Sequence, residues 1–286
     1  MGVVVTGQFG ASKALSQLGT LANFIAYACM GIPAGIILKR KGYKFTSSLA
    51  VIIGLFGVAV QFLSGYVESF AVYVVGAFIA GFSMWLLTAV VNPFLDSLGG
   101  GGNKGNQLSL WGGSVTSIGG TLAPYLVGWV VGGQIADATV AKVAPVMILA
   151  MAIFAIALVV IRLTNIPEPH METPADRAAR LSGNVAKDKY SPMSFRHFVL
   201  GAIAIFFYVG IEVGIPNTAN VYYSGLANVG PAVAGTMISG YWLCMLVGRL
   251  VGASIGAKVS SKSMLTVTSF VAICFLIAAI FIPETV

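Results

Sequence analysis

One carboxylate stands apart from the other acids of this sequence. Glu212 lies near the centre of FRHFVLGAIAIFFYVGIEVGIPNTANVYY, Phe195 to Tyr223, a run long and apolar enough to cross a bilayer. An acid at mid-depth costs roughly 3 kcal/mol on insertion scales, so its presence there is a functional signal. A carboxylate that meets water and protein in turn can take up and release a proton, or bond a substrate hydroxyl. A purely structural acid, bonded to a neighbouring helix, is the competing reading. The eight other acids, Glu68, Asp96, Asp137, Glu168, Glu172, Asp176, Asp188 and Glu284, can be placed in linkers or at span ends.

Polar and aromatic residues inside other apolar runs supply a possible setting. Trp85, Thr88 and Asn92 fall at i, i+3 and i+7, on one helix face, and Gln107, Trp111, Ser114 and Thr121 share a face of the next run. Tyr208 and Glu212 are four apart, Asn217 and Asn220 three apart after the kink expected at Pro216, and Tyr241 and Trp242 lie mid-run further on. Amides, hydroxyls and indoles are what a sugar site needs: hydroxyl groups want paired donors and acceptors, and a pyranose stacks its apolar face on a ring. The same residues also suit interhelical hydrogen bonding and interfacial belts. Trp85, Thr88, Asn92, Trp111, Tyr208, Glu212, Asn217, Asn220 and Trp242 are the candidate binding residues, with Glu212 the candidate for proton coupling. His170 and His197 have no partner at metal-ligand or catalytic spacing, and no nucleophile has a base beside it, so no metal, cofactor or enzymatic activity is expected.

The elements that must hold these residues follow from composition. Of 286 residues, 57% are hydrophobic and 9% charged, with mean hydropathy +0.91, which excludes an ordinary soluble domain and implies a polytopic, all-α membrane protein. Apolar runs at Leu18 to Leu38, Ser48 to Tyr66, Phe70 to Leu98, Leu108 to Gly133, Val143 to Leu163, Phe195 to Tyr223, Pro231 to Ala257 and Met264 to Ile282 predict eight complete spans. Met1 to Phe9 is too short to cross and reads as the tail of a ninth. With the basic linker Lys39 to Lys44 in the cytoplasm, only Lys13 and Lys142 of the 16 Lys and Arg fall outside. That positive-inside asymmetry accounts for the net charge of +7 without a nucleic-acid partner. Cys29, Cys244 and Cys274 sit in apolar runs and read as small buried thiols. No short signal peptide opens the chain, so targeting falls to the spans.

A polar stretch with four prolines, residues 164–194, divides the chain into a bundle at 1–163 and the start of a second at 195–286. The linker GIPAGIILKRKGYKF has a weaker echo in GASIGAKVSSKSML, the mark of an internal repeat. Gly31 with Gly35, and Gly248 with Gly252 and Gly256, have the spacing that lets helices approach closely. Gly99 to Gly102 lacks the Lys-Ser/Thr of a phosphate loop and reads as a turn.

GIPAGIILKRKGYK, VVNPFLDSLGGGGNKGNQ, FFYVGIEVGIPNT and GYWLCMLVGRLVGASIGAKVS resemble, in that order, the fucose permease and glucose/galactose transporter branch of the major facilitator superfamily. The resemblance covers nearly the whole chain and implies eight complete helices of an expected twelve, a fragment lacking the first and last spans. It also implies a sugar site, alternating access, and symport with a proton or sodium ion in the bacterial inner membrane. Fucose permease carries a glutamate where this chain has Thr88 and a glutamine at Gly113, so neither fucose nor that proton route carries over. The alternatives are transport of another small polar solute, such as a nucleoside or drug, or a truncated membrane protein that transports nothing.

Overall fold

The computed structural model describes residues 17–131, 139–168, 192–223 and 231–281, with residues 5, 8–10, 12 and 15 ahead of them. Regular structure there is entirely helical: α1 Leu18–Val67, α2 Phe70–Leu98, α3 Gly102–Val131, α4 Val140–Leu163, a 3-10 turn Pro192–Ser194, α5 Arg196–Tyr223, α6 Pro231–Ile255 and α7 Ser261–Phe281. A helix pairs its own backbone groups, which is what lipid demands. Among the described residues, six of these helices are long and apolar enough to cross a membrane. The chain is a multi-pass membrane protein. α3, dense in glycine and hydroxyl side chains, is not among the six.

The expected count of eight spans is not established by these six helices, one of which is exceptionally long. α1 holds two of the expected spans in 50 residues, which as one straight helix would run about 75 Å against a hydrocarbon core of about 30 Å. Gly42, at φ 79° and ψ 178°, breaks it, and only glycine adopts that conformation without strain. Glu168, just beyond α4, then takes the place of a capping residue. Its carboxylate accepts from Tyr43 N at 2.5 Å and Lys44 N at 2.8 Å, while Lys44 Nζ donates to the Thr164 carbonyl at 2.9 Å. Burial, and then the Glu168 charge, push the Tyr43 phenol above its ordinary pKa. At the other end Gln8 ties α1 to α4, donating to Gly65 O at 2.9 Å and accepting from Val140 N at 2.7 Å.

Contacts group the helices into two units, Met1–Val90 with Thr121–Tyr241, and Val91–Gly120 with Trp242–Val286. In the first, α1 and α2 close on glycines: a Cβ at Gly57 would lie 2.6 Å from Ala80 N, and one at Gly76 2.7 Å from Gln61 N. Buried positions are mostly Gly, Ala and Ser, while large apolar side chains such as Phe206 and Phe275 are more than 70% exposed. In a bilayer that pattern is expected, since lipid solvates Leu and Phe and small residues bring helices together. The same logic corrects the reading of the cysteines: Cys29, Cys244 and Cys274 are exposed, not packed inside. Most of the connector, residues 169–191 with His170, lies outside the described residues.

Candidate functional site

The first unit contains a cavity of about 860 Å3 walled by α1, α2 and α5, within the range of roughly 300–1,000 Å3 usual for small-molecule sites. α1 contributes Thr20, Phe24, Tyr27 and Gly31, spaced at i, i+4, i+7 and i+11, one face of a helix. α5 answers with Phe206, Val209, Gly210, Val213, Gly214 and Asn217, again on one face. Trp85 comes from α2.

Three rings make a continuous aromatic wall. Phe24 and Tyr27 have centroids 5.4 Å apart, and Tyr27 and Trp85 5.5 Å apart, both tilted, an arrangement the ring quadrupoles favour. Trp85 Nε1 is buried and has no hydrogen-bond partner among the described residues. An unpaired buried donor costs about 1–3 kcal/mol. Gly31, Gly210 and Gly214 have nothing within 4 Å of where a Cβ would stand. These glycines leave room instead of closing a helix contact, which corrects the packing role that spacing suggested for Gly31. Gly35 and Gly248 are likewise open.

Of the sequence candidates, Trp85 and Asn217 meet on this cavity. Asn217 Nδ2 donates to Val213 O at 3.0 Å, one turn back on its own helix. Glu212 is half-buried on α5 and Tyr208 is 55% exposed; neither lines the cavity. Glu212 enters a contact through its backbone, whose carbonyl accepts the Tyr241 phenol at 3.1 Å. Thr88 is exposed and turns its hydroxyl back to Met84 O at 2.8 Å, as hydroxyl residues in helices commonly do. Asn220 is on α5, but its side chain lies outside the described residues. The periodic face of α1 was legible in principle, yet Phe24 and Tyr27 look like ordinary membrane residues until a neighbour supplies the opposite wall.

Asn92, Trp111 and Trp242 belong to the second unit. Asn92 is exposed and Trp111 48% exposed. Trp242 lies against α3, where a Cβ on Gly120 would stand 3.0 Å from its ring. Two polar bonds continue that contact between α3 and α6: Gln107 Nε2 donates to Ala253 O and Arg249 Nη1 to Gly113 O, each at 2.8 Å.

A family model described as Major Facilitator Superfamily matches residues 1–286. The chain belongs to that superfamily. Within the superfamily it is 28% identical over 268 residues to the glucose/galactose transporter of Brucella abortus, and 22% identical over 284 residues to the L-fucose-proton symporter of Escherichia coli. Each match covers 91% of this chain, and the chain spans 63% of the length of these curated relatives. The crystal structure of the E. coli fucose:proton symporter superposes with a TM-score of 0.63 over 92% of this chain and 68% of that one, at 19% identity. At that identity the likeness establishes the fold alone, which among the described residues is all-helical.

Proposed function

We propose that this protein belongs to a secondary active transporter that moves a monosaccharide across the bacterial inner membrane by alternating access between two helical halves, residues 1–163 and the bundle begun at 195–286, joined by 164–194. The observation that carries the proposal is the α1–α2–α5 cavity, which pairs an aromatic wall of Phe24, Tyr27 and Trp85 with an unpaired indole N–H and the Asn217 amide. A pyranose has the complementary surface: an apolar face for the rings and hydroxyls for the N–H and amide. The relatives, a glucose/galactose transporter and an L-fucose-proton symporter, support a sugar as cargo and a cation as driving ion. Glu212 is the acid we assign to coupling, because it is half-buried within α5, adjacent to cavity-lining Val213 on one side and two residues after cavity-lining Gly210 on the other. Labelled hexose uptake into proteoliposomes carrying the complete gene product tests the proposal. Accumulation under an imposed proton or sodium gradient is the expected result, and absence of uptake under both would sink it.

One observation favours a second reading. Phe24, Ile205, Phe206, Phe207 and Val209 give the cavity a largely carbon lining, which suits a less polar solute such as a nucleoside or drug. Competition of a solute panel against hexose counterflow separates the two.

A further inference from the structure

Pro216 has no N–H, so α5 cannot make the bond that would close on the carbonyl four residues earlier, which is that of Glu212. The proline ring also crowds that carbonyl and turns it away from the helix axis. The structure places a substitute donor there: Tyr241 of α6 gives its phenol O–H to Glu212 O at 3.1 Å. A second side chain holds the next carbonyl, since Asn217 Nδ2 reaches Val213 O at 3.0 Å. The carbonyls of Glu212 and Val213, just before Pro216, are therefore both held by side chains. Pro216 itself is buried, and Glu212 and Asn217 stand on either side of it.

We propose that Tyr241 is a positioning residue whose phenol replaces the hydrogen bond that Pro216 deletes, and so fixes the angle of α5 at the point where Glu212 precedes and Asn217 follows. Without that donor the Glu212 carbonyl loses the phenol where the proline already denies it the helix bond, and the half of α5 beyond Pro216 gains freedom. Asn217 then moves relative to Trp85, across the cavity they share. The effect on binding rests on the transport reading above; the effect on α5 does not.

A double-mutant cycle between Tyr241→Phe and Pro216→Ala tests the proposal, because alanine restores the N–H that the Glu212 carbonyl lacks. Hydrogen exchange of α5 amides in reconstituted protein is the first readout. Tyr241→Phe in the otherwise unaltered chain is expected to speed exchange beyond Pro216 about tenfold, the factor that loss of a buried acceptor's partner implies. In the Pro216→Ala background the same change should alter exchange less than about twofold. Hexose counterflow is the second readout: Tyr241→Phe raises KM about fivefold with the maximal rate held within about twofold, as displacement of one binding group requires. Equal effects in both backgrounds, or none in the first, would overturn the proposal by reducing Tyr241 to a packing residue. If Tyr241→Phe alone fails to fold, recovery of folding in the double variant supports the proposal and failure there overturns it. A cycle that holds for exchange in a protein that takes up no hexose sinks the sugar reading alone.

Discussion

Glycine is used in two opposite ways in two regions of this protein. On the α1–α2–α5 cavity, Gly31, Gly210 and Gly214 have no atom within 4 Å of a would-be Cβ, so their missing side chains are open space. Along the α3–α6 contact, Gly113, Gly120, Gly252 and Gly256 each have atoms of the facing helix at 3.0 to 3.5 Å. The residue type and the helical context are the same, and only the neighbour differs. Absent side chains thus make a container in one place and a close helix contact in the other, where dispersion between glycine backbone and facing side chains does what hydrophobic burial does in water. If the first region does chemistry and the second packing, substitutions should separate binding from stability.

The largest effect is expected at the acid. Glu212→Gln should reduce gradient-driven hexose uptake to background while counterflow exchange persists, since the amide keeps size and hydrogen bonding but cannot carry a proton. Loss of counterflow as well would assign Glu212 to binding or structure. Next come the glycines themselves. Gly120→Val drives a branched side chain into the rigid Trp242 ring, 3.0 Å from the Cβ site, and should destabilise by about 1–3 kcal/mol, read as a lowered Tm in detergent. Gly214→Val fills cavity space, so Tm should hold while hexose binding is lost. Equal drops in Tm from both would erase the distinction between the regions.

A smaller effect is expected at Trp85. Its buried indole N–H has no partner among the described residues, so Trp85→Phe should leave Tm unchanged or slightly raised, and raise hexose KM about tenfold through the lost bond to substrate. A falling Tm with constant KM would move Trp85 into the structural class and remove one wall of the proposed site.

The sequence and structure agree where a single helix decides the outcome. Phe70 to Leu98 coincides with α2, and α5 and α6 begin or end within two residues of their apolar runs, because a span's length and hydropathy are properties of the segment alone. The break at Gly42 falls in the linker Lys39 to Lys44 that hydropathy already set between two spans, but its partner Glu168, 126 residues later, was not legible, because that contact is made only by tertiary packing. Site prediction divided along the same line. Spacing put Trp85, Thr88 and Asn92 on one face of α2, but Trp85 lines the cavity while Thr88 turns its hydroxyl to its own backbone and Asn92 lies in the other unit. Periodicity names a face, and the identity of the opposite wall comes only from tertiary packing. Tyr27 shows the converse: nothing marks it in the sequence, and Trp85 beside it makes it part of a site.

The smallest effect, and the finest test of the comparison, is expected at Arg249. It lies six residues before the end of α6, about 9 Å along the helix, so its long stem could carry the guanidinium towards the interface. Instead Nη1 bonds the Gly113 carbonyl at 2.8 Å, and a Cβ on Gly113 would stand only 3.1 Å from that nitrogen. The contact therefore depends on glycine at position 113, as the Trp242 contact depends on Gly120. Arg249→Met keeps an unbranched apolar stem, removes the cost of a half-buried charge, and forfeits a charge-assisted bond. These terms oppose each other, which holds the expected loss to about 1 kcal/mol, seen as a small fall in Tm with hexose KM unaltered. Gly113→Ala should produce a similar fall in the unaltered chain and a lesser one beside Arg249→Met, because the two share one contact. A change in KM from either would mean that the α3–α6 contact also shapes the binding site, and the division between container and close contact would have to be redrawn.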